Sequence, residues 1–79
     1  MERNEITEKL TLIFRNIFNN LSLSLTNELT ANDVDNWDSL THMLLISEIE
    51  DAFAIKFKLK ELNKMKNVGD MIDIISSKL

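Results

Sequence analysis

The stretch Asn36-Trp37-Asp38-Ser39-Leu40-Thr41-His42-Met43-Leu44-Leu45-Ile46-Ser47-Glu48-Ile49-Glu50-Asp51-Ala52-Phe53 decides the fold. Asp38 is a good N-cap residue, because its short carboxylate can accept a backbone N–H from the first helical turn. From there Leu40, Met43, Leu44, Leu45, Ile46, Ile49 and Phe53 follow the three- and four-residue steps of a helix, with no alternating strand pattern. The apolar arc is wider than one helix contact needs. Either this helix packs against several neighbours, or part of the arc (Met43, Leu44 or Ile46) is left exposed for a partner.

Upstream, Ile6, Leu10, Ile13, Phe14, Ile17 and Leu21 lay one apolar stripe along a helix of about four turns, expected from about Asn4 to Asn19. The segment Asn20 to Trp37 is rich in Asn, Ser, Thr and Asp, whose side chains bond local backbone and favour turns. It reads as a long loop pinned to the core by Leu21, Leu23, Leu25, Leu29 and Val34, and long ordered loops tend to have a job. Trp37, the only tryptophan, is expected to be at least partly buried. Downstream, Ala54 to Leu59 connects to a short helical turn near Lys60 to Lys66. Asn67, with Asp70 three residues on, then caps a last helix whose Val68, Met71, Ile72, Ile75 and Leu79 face inward. The expected fold class is all-α: a small four-helix bundle with three main helices, a short third one and a long loop between the first two.

Composition narrows the function. Seventy-nine residues leave room for a single domain, 1–79. A chain this short buries only about 60% of its unfolded surface, so a large enclosed active site is not expected. There is no cysteine, hence no disulfide framework and no thiolate metal site, and a cytoplasmic location is the expectation. No apolar run approaches the roughly 20 residues of a membrane span. The net charge of −4 argues against nucleic acid as a partner. Its distribution says more. Between Asn16 and Ile55 there is no Lys or Arg, while Glu28, Asp33, Asp35, Asp38, Glu48, Glu50 and Asp51 fall there; Lys56, Lys58, Lys60, Lys64 and Lys66 follow. An acidic surface beside a basic one favours steered association with a partner of complementary sign.

The catalytic inventory is thin: one histidine, no cysteine, no glycine-rich phosphate loop. Ser39 and His42, at i and i+3, share a helix face and form the one dyad to test, but nothing in the sequence orients the imidazole. The positive end of the helix also opposes an imidazolium. His42 is expected as a surface side chain on the first turn. Asp33, Asp35 and Asp38 match a calcium loop only loosely, lacking its glycine and its bidentate glutamate. No catalytic residue and no metal ligand is assigned.

The string Trp37-Asp38-Ser39-Leu40, with Leu45, Ile46, Ile49, Glu50 and Phe53 and then Ile55 and Phe57 behind it, closely resembles the acyl carrier protein family. The resemblance runs essentially from end to end and implies a bundle of acyl-carrier-protein type. It implies a 4′-phosphopantetheine arm on Ser39, flanked by Asp38 and Leu40, with acyl groups carried as thioesters on the arm's thiol. It also implies a phosphopantetheinyl transferase as a partner, together with the acyl-loading and acyl-using enzymes of fatty acid, polyketide or related biosynthesis. Their basic or mixed basic and apolar docking patches would meet Asp35, Asp38, Leu44, Glu48, Glu50 and Asp51. A phosphodiester on Ser39 suits the N–H groups and positive end of a helix. The sulfur arrives with the cofactor, which fits a chain without cysteine.

Two departures from the family's pattern matter. Leu44 stands where many members of fatty acid synthesis have an acid, with Thr41 and His42 at further polar positions, so the docking face is greasier than theirs. Asn36-Trp37-Asp38 stands where peptidyl carriers usually have glycines. A monomer is expected, with the acyl chain sheltered among Leu45, Ile49, Phe53, Phe57, Met65 and Ile72. The alternatives are an aminoacyl or peptidyl carrier of a nonribosomal-type pathway, and a non-covalent helical interaction module using the Leu44–Ile46 surface, with Ser39 merely a helix-start residue.

Overall fold

The computed structural model describes all of residues 1–79. Its helices are α1 (Arg3–Ile17), α2 (Ser39–Phe53), α3 (Leu59–Leu62) and α4 (Val68–Lys78), with a single 3₁₀ turn at Ala31–Asp33 inside the long loop and no strand. The all-α bundle, its long first loop and its short third helix match the reading of the sequence. None of the helices is long and apolar enough to cross a membrane.

One core joins the three main helices. Ile6, Leu10 and Phe14 of α1 meet Leu45, Ile49 and Phe53 of α2, and Val68, Met71, Ile72 and Ile75 of α4 close it. Leu23, Leu25 and Leu29 pack partly against this core, and Val34 is buried in it. Leu21 is not the anchor expected of it, being 83% exposed. The reason is local: α1 stops at Ile17, Asn19 takes a left-handed conformation (φ 50°), and the chain turns away before the stripe reaches Leu21. Leu79 also departs from expectation. It lies past the last turn of α4 and is half exposed.

Ile46 is a third correction, buried at 4% rather than left for a partner. It precedes Ile49 by three residues and Phe53 by seven, which places it on the inner stripe of α2. The helix ends where Ala54 turns left-handed (φ 55°), and the Ile55 N–H returns to the Glu50 carbonyl at 3.1 Å.

The loop is tied down at both ends. Arg15 Nε donates to the Leu23 carbonyl at 2.8 Å. At the other end the N–H groups of Val68 and Gly69 donate to the carbonyls of Leu29 and Asn27, both at 2.9 Å. Those are first-turn donors of α4, which have no intrahelical acceptor, so the loop completes the helix while the helix fixes the loop. The close approach explains the chain's one glycine, since a Cβ on Gly69 would stand 3.1 Å from both Asn27 Cβ and Asn27 O. Asn67 Oδ1 accepts the Asp70 N–H at 2.8 Å, the cap expected from the sequence. The single turn of α3 is braced from outside: Glu61 pairs with Lys78 at 2.8 Å and takes the Lys58 N–H at 2.7 Å, and the lysine first, then the N–H, hold its carboxyl below the usual range.

Candidate functional site

The start of α2 is fixed from both sides of the helix end. Asp38 Oδ1 accepts the Thr41 N–H at 3.0 Å, and Thr41 Oγ1 accepts the Asp38 N–H at 2.8 Å. The same hydroxyl donates back to the Asn36 carbonyl at 2.7 Å, where Asn36 turns the chain at φ 70°. These bonds, the Thr41 N–H first among them, hold the Asp38 carboxyl below its ordinary range. The result is a rigid corner with Ser39 exposed on the first turn. The first intrahelical bond runs from the His42 N–H to the Asp38 carbonyl at 2.8 Å; the Leu40 N–H also helps to hold the Asp38 carboxylate, and the Ser39 N–H is left without an intrahelical acceptor.

Ser39 opens onto a surface groove of about 330 Å³. Trp37, Ser39 and His42 line it together with Met65, Lys66 and Met71. The fold thus brings Lys66, from the basic stretch after Ile55, beside the serine of the acidic stretch.

His42 corrects its sequence reading. It is half-buried, not a surface side chain, and Trp37 Nε1–H donates to its Nδ1 at 3.1 Å with the two rings only 18° from parallel. Trp37 is in turn held edge-on against Phe14, ring centres 5.2 Å apart, and tilted against Phe18 at 5.8 Å. Burial lowers the imidazole pKa from its ordinary 6.5, favouring the neutral ring. With Nδ1 accepting from the indole, the neutral ring carries its proton on Nε2. No basic nitrogen is then left for Ser39, and the Ser39–His42 dyad has no working base.

The remaining sequence candidates separate. Leu40, Met43 and Leu44 are 83%, 59% and 56% exposed on the outer face of α2, with Glu48 and Asp51 exposed further along and Asp35 exposed on the loop. Glu50 differs from them. It is half-buried, and its Oε2 takes the Phe57 N–H at 2.8 Å, so it braces the connection after α2. Leu45, Ile49, Phe53 and Ile72 are closed into the core, and of the residues expected to shelter a chain only Met65 reaches the groove. Asp33 accepts the Thr30 N–H and hydroxyl at 3.0 and 3.1 Å, and no group of three or more His, Asp or Glu is placed to hold a metal ion. The sequence reading missed the Trp37–His42 bond and the approach of Lys66. A helix-period search does not register a side-chain bond that spans an N-cap, and the second pair lies 27 residues apart in the chain.

No family model matches the chain, and no curated protein matches it. Among solved structures, the solution NMR structure of a holo acyl carrier protein from Geobacter metallireducens is similar to it with a TM-score of 0.87 and 51% sequence identity. The similarity covers 91% of this chain and 83% of that one.

Proposed function

Because this chain belongs to the acyl carrier protein family, we propose that it carries acyl groups on a 4′-phosphopantetheine arm esterified to Ser39. Proteins of this family are carriers and not enzymes, in keeping with the missing base at Ser39. The observation that carries the proposal is the exposed Ser39 on the first turn of α2, beside an open groove, in a chain 51% identical to a holo carrier.

The residues present suit such a group. The serine hydroxyl is accessible, and the Ser39 N–H with the helix dipole favours a phosphodiester by about 0.3–1 kcal/mol. Asp38 sets the corner through Thr41. When bound, the arm supplies the thiol on which acyl groups travel as thioesters. The chain's own part is to hold the attachment point rigid and to present a docking face. Ser39 needs no base of its own, since a phosphopantetheinyl transferase would bring one.

Leu40 and Leu44, with Asp35, Glu48 and Asp51 around them, form the face we assign to partners. Apolar side chains at its centre support docking patches of mixed basic and apolar character, and a dedicated acyl-transfer pathway over housekeeping fatty acid synthesis. We take residues 1–79 as one carrier domain that works as a cytoplasmic monomer. Incubation with a promiscuous phosphopantetheinyl transferase and coenzyme A, followed by intact-mass measurement, tests the attachment. One phosphopantetheine adduct is expected, and none on Ser39→Ala. An adduct that survives that substitution would place the arm elsewhere.

A further inference from the structure

We propose that His42 is a positioning residue for the root of the arm, donating from Nε2–H to the phosphodiester carried on Ser39. The inference rests on attachment at Ser39 and goes one step further, to a side chain three residues on.

Three observations lead to it. His42 lines the same groove as Ser39, and the i, i+3 spacing puts the two on adjoining turns of one helix side. The Trp37 indole fixes the ring: its N–H occupies Nδ1, and Trp37 itself is wedged against Phe14 and Phe18. An indole N–H can only donate, so this bond selects the tautomer with hydrogen on Nε2, the nitrogen that diverges from the indole. The ring's one hydrogen bond within the protein is the one at Nδ1, which leaves the Nε2–H without an acceptor there. A half-buried, oriented donor that lines the same groove as an exposed hydroxyl gains an acceptor once a phosphate oxygen stands on that hydroxyl. The charged side chains that line the groove with His42 are Asp38 and Lys66, and Asp70 lies behind Lys66, accepting its backbone N–H at 3.1 Å. Asp38 is already committed to Thr41, so it does not compete for the imidazole.

His42 is the chain's single histidine, and histidine is the side-chain type that ordinarily titrates between pH 5 and 8. A phosphodiester does not titrate there. The experiment is therefore a pH series of ³¹P and imidazole-proton NMR spectra on the protein after loading with phosphopantetheine, its adduct verified by mass. The loaded wild type should show a ³¹P shift between pH 5 and 7.5 whose midpoint matches that of the His42 ring protons. That midpoint should lie higher in the loaded than in the unloaded protein, because the phosphodiester favours the imidazolium.

His42→Gln supplies an amide oxygen for Trp37 and an amide N–H for the phosphate. It should hold the ³¹P resonance near the wild-type position at pH 7.5, where the imidazole is neutral, while erasing the titration. His42→Leu should move the ³¹P resonance toward that of a free phosphodiester. A verified adduct whose ³¹P shift is flat across this range, with the same His42 midpoint before and after loading, would overturn the role of His42 and leave attachment at Ser39 intact. Absence of any adduct would instead count against attachment.

Discussion

The two faces of α2 are built from the same kinds of side chain and meet opposite fates. Leu45, Ile46, Ile49 and Phe53 are 0–6% exposed, whereas Leu40, Met43 and Leu44 on the opposite side stand 56–83% open to solvent. Helical geometry sorts them, since residues 45, 49 and 53 recur on one stripe while 40, 43 and 44 fall across from it. Burial alone explains the first set. Burial does not explain the second, three adjacent exposed apolar residues on the face proposed above for partners.

Leu45→Ala and Leu44→Ala break the comparison most directly. Leu45 is fully buried, and its truncation should cost about 2–5 kcal/mol in denaturant unfolding, a large share of what a domain of this size has. Leu44→Ala should stay within about 0.5 kcal/mol of wild type and lower affinity for a partner enzyme instead. Equal destabilisation by both would remove the distinction between the faces.

The next effect concerns helix starts. Asn67→Ala removes the cap of α4 and should cost about 0.5–2 kcal/mol. Asp38→Ala should also lower the melting temperature, with a pH signature of its own. The Asp38 carboxyl is depressed in the folded protein, so its contribution is complete above about 3.8 and is lost as pH falls through the lower folded value. The variant should lack that part of the acid limb.

His42 gives the smallest effect, and at a different pH. Its neutral form is favoured on folding, so stability should be highest above about 6.5. It should decline as pH drops and the unfolded chain takes up a proton first, then level once the folded imidazole also protonates. In His42→Gln this step should vanish from a melting-temperature profile between pH 8 and 5.

The inner face was legible in the sequence because periodicity reports which residues share a stripe, and the caps at Asp38 and Asn67 because capping is local chemistry. The proposal of attachment at Ser39 came only from the Asp38-Ser39-Leu40 string and its surroundings. The contacts that shape the groove were not. Trp37 reaches His42 across the helix start, Lys66 arrives from the far end of the basic stretch, and Glu50 turns back to the Phe57 N–H. Each depends on how loops close, which periodicity does not encode. Leu21 and Leu79 failed for the same reason, as apolar residues at helix period lying just beyond the point where the helix stops.

The measurement closest to the central claim is the intact mass of wild type and Ser39→Ala after treatment with phosphopantetheinyl transferase and coenzyme A. The account predicts a single phosphopantetheine adduct on the wild type, localised by fragmentation to Ser39, and an unmodified variant of unchanged fold. An unmodified wild type, or an adduct retained by Ser39→Ala, would contradict it.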